Sequence, residues 1–150
     1  MNDETEQKTK PSAPAGSQSS WIDDFDALDQ ECVRRALAGL GVKGHVIEGG
    51  LPFLVAEWEA FVSRVEAGYV GSFHSFQSKL SIRTSIARVF ERVPEGLSRR
   101  LRRLVEPTDF RYRAVGCCNE DFLLDERMRH HYDPDRFFWL FGAPEGSRFE

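Results

Sequence analysis

The strongest constraint on this fold is the spacing of its large apolar residues. Leu54, Trp58, Phe61, Val62, Val65 and Tyr69 recur three or four positions apart, with Glu57, Glu59, Ser63, Arg64 and Glu66 between them. A period near 3.6 puts the first set on one side of an α-helix and the second set in water, whereas a strand would mix the two sets on each face. Pro52 suits the first turn of such a helix and Gly68 its end.

Similar spacing recurs on both sides of this segment. Trp21, Phe25, Leu28, Cys32, Ala36 and Leu40 form an apolar stripe, with Ser20 or Asp23 as the expected cap and Gly39 and Gly41 as the stop. Gly39 to Gly50 then reads as a glycine-rich connection. Ser72 opens a turn carrying Phe73, Phe76 and Leu80, and Ser81 is placed to cap a helix with Ile82, Ile86, Val89 and Phe90, ending before Pro94. Leu97, Leu101, Leu104, Thr108, Tyr112 and Val115 share one more stripe, in which Pro107 implies a kink or two abutting helices. Further on, Asp121 to His131 is expected as a short helix with Phe122, Leu123 and Met128 inward. The aromatic run Phe137 to Phe141 is expected to close the end of the bundle, and Gly142 to Glu150 to fray. These elements predict an all-α domain, an irregular or orthogonal bundle of about five helices, with β structure confined to short pieces.

With 150 residues, 41% of them apolar and 29% charged, the chain is long enough for one domain with its own core. That domain is expected to span residues 21–150. Residues 1–20 are rich in Ser, Pro, Gln, Thr and Lys, bury too little apolar surface to offset their ordering entropy, and are expected to form a disordered tail. Met1 to Lys10 has no apolar stretch of the signal-peptide kind, and no apolar run is long enough to cross a bilayer. Cys32, Cys117 and Cys118 are odd in number and two are adjacent, which argues for reduced thiols. A cytoplasmic location is the expectation.

Several motifs invite chemical readings. Gly39-Leu40-Gly41-Val42-Lys43-Gly44 reproduces the G-x-G-x-x-G pattern, but a helix precedes it where a dinucleotide site needs a strand, so helix termination is the expected reading. Cys117, Cys118, His130 and His131 are metal-ligand types without metal-ligand spacing, because adjacent side chains diverge. No cofactor and no metal are expected. A thiol- or metal-dependent enzyme using the Cys117–His131 region, with Asp121 or Asp125 as a third group, remains an alternative to a non-enzymatic protein.

Charge supplies the remaining candidates. Asp23, Asp24, Asp26, Asp29 and Glu31 form an acidic stretch without an intervening cation, and the chain carries a formal net charge of -4. Such a patch can stabilise a helix N-terminus or steer a basic partner. The opposite candidate is Arg99, Arg100, Arg102 and Arg103, fanned across one helix, with Glu106 in reach of Arg102 and Arg103 and with Arg111 and Arg113 beyond. On these residues the expected function is a non-catalytic protein–protein interaction module, a small acidic bacterial inhibitor or immunity-type protein. Its partner is expected to be another protein, basic in charge, recognised through the acidic stretch. A nucleic-acid-associated protein using the Arg99–Arg103 helix is the second alternative, disfavoured by the net charge.

Overall fold

The computed structural model describes residues 21–150, so the expectation of a disordered tail over residues 1–20 lies outside the described residues. Among the described residues the fold is an all-α bundle. Its four helices are α1 (Ala27–Leu40), α2 (Gly44–Glu66), α3 (Phe73–Arg92) and α4 (Glu95–Val115), followed by 3-10 turns at Glu126–His131 and Phe138–Leu140. Two short strands, β1 (Val70–Gly71) and β2 (Arg148–Phe149), pair in parallel.

The first helix begins later than its apolar stripe suggests. Asp26, not Ser20 or Asp23, is the cap: its carboxylate accepts from the backbone N–H of Asp29, and the Asp29 carboxylate accepts from the N–H of Asp26. Leu28, counted into the stripe, stands exposed in that first turn. Gly41 ends the helix in the left-handed region (φ 74°), with its N–H on the Ala38 carbonyl, as expected for a helix stop, whereas Gly39, the other expected stop, lies inside the last turn.

The glycine-rich connection is shorter than expected, because helix resumes at Gly44. Gly50 breaks it with φ 59° and ψ -148°, and a new helical segment starts beside Pro52. Counting the pieces of α2 on either side of Gly50, the bundle has five helical segments. Trp58, Phe61, Val62 and Val65 are all almost fully buried, as their spacing requires.

Ser72 caps α3 by accepting from the Ser75 N–H, and the helix continues without interruption through Ser81. The Ser81 hydroxyl donates back to the Ser78 carbonyl instead of starting a new helix. Likewise α4 is one helix with Pro107 inside it. A proline there withholds one helical N–H, from the carbonyl of Arg103, yet the element does not divide into two abutting helices.

Past α4 the expectation weakens most. Only Glu126–His131 of the anticipated helix forms, as a 3-10 turn, and Met128 is exposed although Phe122 and Leu123 are buried. The last residues are tied down, not frayed: the N–H groups of Arg148 and Glu150 donate to the carbonyls of Tyr69 and Gly71 at 2.7 and 2.9 Å. Phe137, Trp139 and Leu140 are buried, and the Trp139 indole N–H donates to the Thr84 hydroxyl of α3. The aromatic run therefore closes the bundle against α3.

Candidate functional site: an arginine-lined groove

Along α3, Phe76, Leu80, Arg83, Ala87 and Phe90 follow one another at spacings of four and three, so the helix turns an arginine inward on its apolar side. Arg83 is 5% exposed. A buried charge is tolerated only when paired and hydrogen-bonded, and Arg83 meets a carboxylate. Its Nε and Nη2 donate to the two oxygens of Asp109 on α4, at 2.9 and 2.7 Å. The Trp58 indole N–H of α2 donates to the same carboxylate at 2.9 Å, and the Trp139 ring lies 4.1 Å from the guanidinium carbon. One ion pair thus ties together α2, α3, α4 and the C-terminal segment. Nη1 of Arg83 is buried and has no hydrogen-bond partner among the described residues.

This knot forms the floor of a groove. On α4, Arg99, Arg103, Glu106, Phe110 and Arg113 follow at spacings of four, three, four and three, and Arg102 joins the same side. These side chains, with Phe90 and Phe138, surround a cavity of about 470 Å³ whose wall includes Arg83 and Asp109. A neighbouring cavity of about 260 Å³ shares Arg83, Phe90, Arg102, Arg113 and Phe138. The groove's guanidiniums rest on rings: Arg102 lies 4.8 Å from the Phe90 ring centre and Arg113 4.0 Å from that of Phe138. Phe110 is 72% exposed at the rim.

Not every arginine is available to a partner. Arg99 lies 3.6 Å from Glu95, and Arg111 donates to Glu66 and Ser63 on another face. The expected helical pairing of Arg102 and Arg103 with Glu106 does not form; Arg102 instead donates to the Ser98 hydroxyl. Among the described residues, Arg102, Arg103 and Arg113 have no carboxylate within ion-pair distance.

The acidic stretch is arranged differently. Asp26 is committed to its cap, and Arg100 donates to both oxygens of Asp29 at 3.1 and 3.2 Å and to the Asp24 carbonyl. Those bonds hold the Asp29 carboxyl below the usual carboxylate range despite partial desolvation. Glu31 lies 3.6 Å from Arg34 and 3.7 Å from Arg35. Four of the five are exposed, all but Asp29, and among the described residues Asp23 and Asp24 have neither a capping role nor an ion pair.

The cysteine–histidine region is not drawn into one site. The Cys117 thiol faces the carbonyls of Phe141 and Gly142, and the Cys118 thiol that of Ala143. Burial, then the neighbouring Cys118 and Glu145, pushes the Cys117 thiol up, which lowers the thiolate fraction a nucleophile needs. The His130 and His131 rings lie 4.0 Å apart and tilted in the exposed 3-10 turn. Among the described residues no group of three or more His, Cys, Asp or Glu side chains is placed to hold a metal ion. None of their helices is long and apolar enough to cross a membrane.

Sequence reasoning identified the arginine run but missed Arg83, Asp109, Phe90 and Phe110. The available signal was a charged residue at a buried position of a helical stripe, between Leu80 and Ala87. Compared with known protein families, with curated proteins and with solved structures, the chain matches none.

Proposed function

We propose that the chain is a non-catalytic protein-interaction module that takes an acidic segment of a partner protein into the arginine-lined groove between α3 and α4. The observation that carries this reading is the set of uncommitted guanidiniums, Arg102, Arg103 and Arg113, around a cavity large enough for several side chains. Arginine donates in a planar fork that suits carboxylates, and rings beneath it keep the fork in place with little loss of side-chain freedom. Exposed Phe110 adds an apolar anchor of the kind that dominates interfaces. An inhibitor or immunity-type role belongs to the same class, and the groove changes the expected sign of its partner from basic to acidic.

The test is a titration of the full chain against a labelled glutamate-rich peptide and a labelled lysine-rich peptide, followed by fluorescence anisotropy across a range of salt. The glutamate peptide should bind, more weakly as salt rises. Binding should disappear in the variant Arg102→Gln, Arg103→Gln, Arg113→Gln. Preference for the lysine peptide, dependent on Asp23 and Asp24, would return the site to the acidic stretch.

A further inference from the structure

The groove has a floor that its acidic-partner reading does not by itself use. The Arg83 guanidinium meets Asp109 side-on through Nε and Nη2, so its remaining nitrogen, Nη1, points away from that carboxylate. Nη1 is buried and unpartnered, on a side chain that lines both cavities. A guanidinium donor left unbonded inside a protein is costly, and such a group calls for a partner. Arg102 and Arg113 line the same two cavities as Arg83. They are eleven residues apart on α4, about 16 Å along the axis.

Resting on the function proposed above, we infer that the junction of the two cavities is a phosphomonoester subsite, and that its natural occupant is a phosphorylated serine or threonine side chain in the acidic partner segment. The number of guanidinium donors supports a phosphate over a carboxylate. Around the larger cavity, Arg83 and Asp109 cancel each other and Arg99 faces Glu95. Three uncommitted guanidiniums then oppose Glu106 and, in the smaller cavity, Asp135, because Arg136 there pairs with Glu91; a surplus of one positive charge remains across the two. A phosphomonoester brings a charge of about -1.5 to -2 and three acceptor oxygens, enough to bond several arginine forks at once. A glutamate brings half that charge and two oxygens. Exposed Phe110 at the rim provides an apolar contact for the residues flanking the phosphate.

The experiment uses three labelled peptides of one acidic sequence that differ only at the central position, which is serine, glutamate or phosphoserine. Against the full chain, the phosphoserine peptide should bind about tenfold tighter than either of the others. Inorganic phosphate should compete with it. That gain should vanish in the Arg102→Gln, Arg113→Gln variant, whose exposed substitutions leave the core intact. It should also shrink in Arg83→Lys, which keeps a cation beside Asp109 but has no second terminal nitrogen. If the serine peptide binds and phosphate adds nothing, this inference falls while the acidic-partner reading stands. If no peptide binds, both fall. A 5′-phosphorylated oligothymidylate that binds tighter than the phosphoserine peptide would overturn the protein partner in favour of a nucleic acid.

Discussion

The acidic stretch Asp23–Glu31 and the basic stretch Arg99–Arg113 are equally conspicuous as strings of letters, yet the fold treats them in opposite ways. In the first, the structure answers most of the charge locally, through the Asp26 cap, the Asp29–Arg100 pair and the arginines beside Glu31. In the second, helical spacing separates the arginines by face. Arg100 turns to α1, Arg111 turns to α2, and Arg102, Arg103 and Arg113 remain around an open groove. Net charge points to the first region and available charge to the second. The difference follows from which face of its helix carries each arginine and what packs against that face, which composition does not record.

A second contrast lies within the groove, between a charge that holds the fold and charges that only line its surface. Removing the carboxylate of Asp109 should have the largest effect, because it leaves Arg83 buried and uncompensated. Asp109→Ala should cost about 3–5 kcal/mol in chemical denaturation, and a variant as stable as the parent would remove the ion pair from the architecture. Trp58→Phe keeps most of the ring but deletes one hydrogen bond to that carboxylate, and should cost about 1.5–3 kcal/mol. The triple glutamine variant at Arg102, Arg103 and Arg113 should stay within about 0.5 kcal/mol of the parent. A larger loss would mean that these arginines hold the fold as well.

The smallest expected effect concerns Asp29. Its pKa is depressed in the folded state, so its contribution to stability is fully present above the unfolded carboxylate value of about 4 and is lost as pH falls through the lower folded one. Asp29→Asn should therefore show a slightly shallower loss of stability in acid than the parent. Identical acid titrations of the two proteins would show that the Arg100 contact contributes nothing in solution.

Much of the fold was legible because burial of helices follows local periodicity. The stripe from Leu54 to Val65, the stop at Gly41 and the end of α3 before Pro94 all follow from nearest-turn chemistry. What escaped depended on partners far along the chain. Ser72 and Ser81 look alike as caps, and only Ser72 meets a free N–H at a helix start. Residues 142–150 look frayed because their ordering comes from Tyr69 and Gly71. The candidate site divides in the same way. The Arg99–Arg103 run is visible in sequence, whereas Arg83 and Asp109 gain their meaning from a contact between α3 and α4. Arg113 separates from Arg111 only once helix faces are assigned.

The central claim is that recognition follows available charge and not net charge. Its most direct test sets two full-length variants side by side against one labelled glutamate-rich peptide: Asp23→Asn with Asp24→Asn, and Arg102→Gln with Arg103→Gln and Arg113→Gln. The account predicts that the aspartate variant binds as well as the parent or slightly better, through reduced repulsion, while the arginine variant loses binding with its thermal midpoint unchanged. Equal binding by the parent and the arginine variant would contradict the claim.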